Sequence, residues 1–191
     1  MKQESSEFTS ADVPRFFDQL LEIDMRQTAA RLEAASDRMQ ELAARIPDTR
    51  SGDAEWNAKE VLAHVAVLSR AYGVFAYMIA NGRLREMDLG AIISQRDAYG
   101  EELAARPIPE IVAEAVKQHQ RTLKFMASAT TEQFKTRAKT EHGDIPVDHI
   151  LRLPLVVHLE DHLDQIERLL DGAAGAGDGA AITEPADALQ A

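Results

Sequence analysis

His158 and His162, four positions apart in the run Val156–Ile166, are the residues of this chain best spaced to do chemistry. On a helix that spacing projects both imidazoles from one face, one turn above the other. Leu151, Leu155, Ile166 and Leu169 recur on the same stripe, so the pair faces whatever the helix packs against. Two imidazoles so placed can grip one divalent ion, and a third ligand then has to come from another helix. His64 is the candidate. It closes the run Trp56–His64 and shares an apolar stripe with Val61, Leu68, Phe75 and Ile79. Three neutral imidazoles leave at least one coordination position open, as catalytic metal sites do. An ion there lowers the pKa of a bound water or small thiol and makes a nucleophile near neutral pH. The bland alternative is a set of buried neutral histidines hydrogen-bonded to their neighbours.

Other residues are weighed around this pair. By helical spacing Asp161 flanks His158 and Gln165 flanks His162, so both are candidate orienters of the ligands. His119 lies on an inner helix face, either as a core polar group or as a pocket residue and fourth ligand. Trp56 either lines a pocket or packs as a hydrophobic staple at the start of its helix, and the staple is favoured. Glu160 invites comparison with zinc proteases, but Leu159 and Asp161 stand where those motifs need glutamate. His142 and His149 read as solvated or structural, and Lys59 and Arg70 as solvated helix-face charges.

The elements that must position these residues are helical. Leu21, Met25, Thr28, Leu32, Ala35, Met39, Leu42 and Ile46 step by alternating fours and threes, a bundle seam that Pro47 ends. Pro14 suits its first turn, with Ser10 or Asp12 as cap. Asn57 caps a second helix, with Glu60 completing a capping box, and Gly82 fits its C-terminal left-handed position. Residues 91–105 hold a helix or two, interrupted near Gly100. Pro109 opens a third strong helix, with Val112, Ala115, Val116, His119, Leu123 and Met126 on its inner face. Thr131–Phe134 adds a turn, and Arg137–Ile145 is an exposed polar excursion. The last helix starts near Pro146 or Val147, kinks at Pro154 one turn before His158 and stops at Gly172. With no long strand-period segment, the fold class is all-α with four principal helices. Residues 1–12 form a flexible arm, 13–171 one bundle domain, and 172–191 a disordered Gly/Ala-rich tail.

At 191 residues the chain is long enough to bury a sizeable core. It has no cysteine, which excludes disulfides, Cys-zinc sites and a protein thiol nucleophile. A formal charge of −11 argues against nucleic acid and against anionic membranes as partners. No stretch is expected to span a membrane, and the cytoplasm is the expected compartment.

The order of these signals resembles the DinB/YfiT-like superfamily. Trp56 and His64 at the second helix, then His158, His162, Gln165 and Ile166 on the last, match its pattern over roughly residues 13–171. The resemblance implies an up-down-down-up four-helix bundle, often homodimeric, with a divalent metal, zinc or nickel, on His64, His158 and His162. It also implies a low-molecular-weight thiol as co-substrate, since characterised relatives include thiol-dependent transferases and isomerases. The mycothiol-dependent maleylpyruvate isomerase branch carries a glutamate where this chain has His158. Two functions follow: a metal-dependent thiol transferase or hydrolase acting on a small molecule, or a non-catalytic, stress-associated metal-binding protein.

Overall fold

A computed structural model describes residues 9–48 and 56–177, with side chains for all but 89, 91–97 and 173–177. The order is α1 (Val13–Ala43), α2 (Ala58–Ala80), α3 (Leu89–Ala104), α4 (Ile108–Ser128), α5 (Thr131–Lys135), β1 (Arg137–Thr140), β2 (Gly143–Pro146) and α6 (Val147–Ile150). A π-helical stretch, Leu151–Val157, then runs into α7 (His158–Gly177). The fold is all-α in class, and its four long helices are α1, α2, α4 and the α6-to-α7 run.

Side-chain contacts set the helix directions. Ser36 and Ser69 both meet His119, and Gly73 lies against Thr122, so α2 and α4 run parallel. Ser36 meets His119 within α4, while Glu22, earlier on α1, accepts from Thr131 just past the end of α4, so those two helices run in opposite senses. Arg31 and Arg38 on α1 and Arg45 just past its end pair in order with Glu160, with Asp164 and Glu167, and with Asp171 on α7. Those two helices are therefore parallel, and the arrangement is up-down-down-up. Arg38 reaches Asp164 and Glu167 at 2.6 Å each, and Arg45 reaches Asp171 at 2.8 Å. Exposed pairs of this kind contribute only about 0–1 kcal/mol each, so the ladder sets register more than stability.

α2 lies at the centre. Nearly every residue from Ala58 to Ser69 is buried, because α3, α4, the π-helical stretch and α7 pack around it. A helix enclosed on all sides is apolar all round. For that reason α2 is the one helix among the described residues long and apolar enough to cross a membrane by length and composition. The bundle buries 56% of its apolar window, which accounts for the composition without a bilayer. Asn57 and Glu60 form the expected capping box, and Gly82 takes φ +67. The α1 seam also holds, with Met25, Leu32, Met39 and Leu42 buried.

Several expectations are corrected. Asp12 sits at the N-cap of α1 but makes no capping bond; its carboxylate accepts from Thr9 N at 2.9 Å and Thr9 Oγ1 at 2.8 Å. α3 runs through Gly100 as one helix. The stretch expected to be an exposed excursion is a β-hairpin, with Ala138 and Thr140 buried. The loop after α2 bonds to it, Lys139 N donating to Arg85 O and Met87 N to Lys139 O, both at 2.8 Å. Instead of a simple kink, Pro154 sits inside the π-helical stretch, where its missing N–H is taken up by a wider turn. α7 passes through Gly172 and reaches Gly177, since Gly172 is not left-handed and alanines follow it. Lys59 is buried, not solvated, and its Nζ lies 2.6 Å from Asp48 Oδ1. Of the expected flexible arm and disordered tail, residues 1–8 and 178–191 lie outside the described residues.

The α2–α4 contact is close at Gly73, where a Cβ would meet Thr122 Oγ1 well inside contact distance. Gly73→Ala should therefore destabilise by about 1 kcal/mol, overpacking of 1–3 kcal/mol outweighing the roughly 0.5–1 kcal/mol that alanine gains in helix propensity. In a Thr122→Ala background the same substitution should be neutral or stabilising. Urea unfolding of the four proteins checks this, and additive effects would show that the two residues do not clash.

Candidate metal centre

His64 stands nearly two turns inside the capped start of α2, so the Asn57–Glu60 box fixes the helix end that carries it. His158 is the first residue of α7, where the π-helical stretch gives way to regular α-helix. His162 follows one turn later. The bundle brings all three together, with one ring nitrogen from each lying within 4.8 Å of the others. The His64 ring centroid is 4.8 Å from that of His162 and 5.9 Å from that of His158, both edge-on. His64 is buried, while His158 and His162 are half-buried, so the cluster closes toward the core and opens outward.

The protons can be placed by elimination. Gln165 Oε1 lies 2.8 Å from His162 Nδ1, and a carbonyl oxygen only accepts, so Nδ1 carries the hydrogen. In the neutral ring His162 Nε2 is then bare. It lies 2.8 Å from His158 Nε2, which must donate to it. Gln165 thus holds His162 in the tautomer a metal ligand needs, the arrangement in which an outer partner orients a ligating histidine. Asp161, expected to orient His158, is exposed.

The donor set fits a divalent ion. Imidazole nitrogens about 2.0–2.1 Å from a tetrahedral ion lie about 3.4 Å apart. The two Nε2 atoms at 2.8 Å need to separate by only roughly half an ångström, and a bound ion would replace the proton they now share.

Trp56 is 46% exposed, with its ring 4.7 Å from that of His64. It lies beside the cluster, where the staple reading would have it plugging the bundle end. His119 is elsewhere. At 1% exposure it bridges three helices, its Nε2 2.8 Å from Ser69 Oγ and its Nδ1 2.9 Å from Ser36 Oγ. With both nitrogens engaged it is neither a fourth ligand nor a pocket residue, and the expectation that it might line a pocket is corrected. His142 and His149 are exposed, as expected.

A profile of the DinB superfamily matches residues 24–166, most of the bundle and all three histidines. The chain belongs to the DinB superfamily. No curated protein and no solved structure matches it. Membership agrees with the expected bundle and with a three-histidine group able to hold a metal ion.

Burial pushes the His119 imidazole down from its ordinary 6.5 to about 4. Below pH 6.5 the unfolded chain takes up a proton that the folded chain refuses. Stability is therefore full above pH 6.5, falls by about 1.4 kcal/mol per pH unit, and levels off near pH 4 with a loss of about 3 kcal/mol. Urea titrations of EDTA-treated protein across this range should show that slope, and His119→Gln, which has no titrating ring, should flatten it.

Proposed function

We propose that this DinB-superfamily protein is a metal-dependent enzyme. A divalent ion, zinc or nickel, is held by His64, His158 and His162, and the substrate is a small electrophilic molecule. The observation that carries the reading is the convergence of three imidazoles from two distant helices, with Gln165 setting the tautomer of one. When bound, the ion supplies Lewis acidity and lowers the pKa of a coordinated thiol or water. The chain's own residues hold and orient. Gln165 keeps the His162 lone pair turned inward, the Asn57–Glu60 box anchors the turn below His64, and Trp56 offers a half-exposed aromatic wall. With no cysteine in the chain, sulfur chemistry would use an external low-molecular-weight thiol, and the reaction is an S-transfer or a hydrolysis.

A second reading has its own support. Two grooves of the bundle, of about 560 and 580 Å³, open elsewhere, and none of the three histidines lines either. That favours a non-catalytic, stress-associated metal-binding protein. Screening low-molecular-weight thiols against electrophiles with the metal-loaded protein separates the readings: turnover lost in His158→Ala supports the enzyme, and metal binding without turnover supports the alternative. We place the protein in the cytoplasm as a homodimer. The first turns of α1 support the dimer, because Phe16, Phe17, Leu20 and Ile23 are all at least 40% exposed there. Sedimentation equilibrium should give twice the chain mass, and Phe17→Glu should shift it toward the monomer.

Metal should stabilise the fold. At free ion a hundred times the dissociation constant, binding to the native state alone contributes about 2.7 kcal/mol. That is roughly 5–10 °C in Tm for a domain of this size. Imidazole ligates only when unprotonated, with a reference pKa of about 6.5, so the gain is present above that pH and fades as pH falls. Metal-loaded and EDTA-stripped protein should melt apart at pH 8 and together at pH 5. Identical curves at pH 8, with metal removal shown by elemental analysis, would refute the site.

A further inference from the structure

We propose a second ligand site, separate from the histidine cluster, in the groove between α2, α3 and α4. Its ligand is a small organic anion with an apolar body, an alkyl carboxylate. The groove encloses about 580 Å³, within the range of small-molecule sites. Val67, Ala71, Phe75 and Leu103 give it an apolar wall.

Its charged residues are Arg70, Arg106, Lys117 and Arg121, against Glu102 and Glu114. Both carboxylates are already engaged. Arg106 donates to Glu102 at 2.7 Å, while Glu114 accepts from the buried Gln118 amide at 2.6 Å and lies 3.8 Å from Lys117. Arg70 and Arg121 have no carboxylate partner among the described residues. They stand at one height, because Ser69 meets His119 and Gly73 faces Thr122 on the parallel helices that carry them. The Arg70 guanidinium lies over the Tyr99 ring, 5.4 Å from its centroid, a stacking contact that leaves the guanidinium's in-plane donors available.

The groove between α1 and α4 serves as an internal contrast. It has almost the same volume, about 560 Å³, and an apolar lining that includes Met25, Met126 and Phe134. Its charged residues are Glu22, Arg26 and Glu33, an excess of acid in keeping with a chain of net charge −11. Of these two grooves, the one between α2, α3 and α4 sets a cationic rim around an apolar floor. Charge complementarity thus selects an anion with a hydrocarbon body and directs its head group toward Arg70 and Arg121.

The inference does not depend on the metal reading and is tested without metal. EDTA-dialysed full-length protein is titrated calorimetrically with decanoate and, separately, with decyltrimethylammonium. Decanoate should bind one to one and at least tenfold more tightly than the cation. The double variant Arg70→Gln/Arg121→Gln, altered at two exposed positions and confirmed folded by its melting curve, should lose at least tenfold in decanoate affinity. His158→Ala should bind decanoate as the native chain does. Equal affinity for the two amphiphiles, unchanged affinity in the double arginine variant, or loss of binding in His158→Ala would each overturn it.

Discussion

The fit of α2 against the last helix is the constraint on which the rest of this molecule depends. His64 sits near the start of α2 and His158 at the start of α7, so the three imidazoles meet only if the two helices cross with these ends aligned. Apolar packing supplies most of the driving force for that crossing but little of its register, because a face of Leu, Val and Ala slides easily. Polar devices set the register instead. The capping box ends α2 at a defined residue, and the arginine ladder of α1 pins the height of α7. Each contributes little stability by itself, since the charged pairs are exposed. Together they limit where His158 and His162 can stand relative to His64.

The π-helical stretch belongs to the same constraint. Pro154 donates no backbone hydrogen bond, and a continuous α-helix from Val147 would have to leave its partner carbonyl unsatisfied or bend away. Widening the turn over Leu151–Val157 shifts the phase of everything that follows. Leu151 and Leu155 within the stretch are buried, as are Leu159, Leu163 and Ile166 after it, so the helix keeps its core face while it carries His158 and His162 beside His64. π-helical insertions are common at functional sites for this reason.

How much of this could be read in the sequence follows the physics of each signal. The seam of α1, both ends of α2 and the convergence of His64, His158 and His162 were legible, because periodicity and capping are local and the family pattern is ordered along the chain. What was missed depends on partners distant in sequence. Lys59 is buried because Asp48, eleven positions earlier, neutralises it. The arginine ladder was visible as Arg31, Arg38 and Arg45 every seventh position, yet exposed charges look the same whether paired or solvated. The hairpin strands have four residues each, too few for alternation to stand out from a polar loop. The apolar character of α2 reflects its central position, which only the packed bundle reveals.

The same residue type has two fates here, and the difference shows what makes a histidine a ligand. His119 is enclosed by three helices, and Ser36 and Ser69 satisfy both its nitrogens, so it has neither a free lone pair nor room for an ion's remaining ligands. Its imidazole is held neutral by burial, and its contribution is to tie α1, α2 and α4 together. His162 has one nitrogen bonded to Gln165 and the other turned to His158, so its one lone pair is matched by another imidazole. Two imidazole nitrogens facing each other at this distance present donors that one divalent ion could bridge. Half-burial completes the difference, since an ion can reach the cluster from solvent and keep a position open there. An inner-face histidine is therefore classed by what its two nitrogens meet, and on that criterion the cluster at the start of α7 is a group able to hold a metal ion while His119 is core.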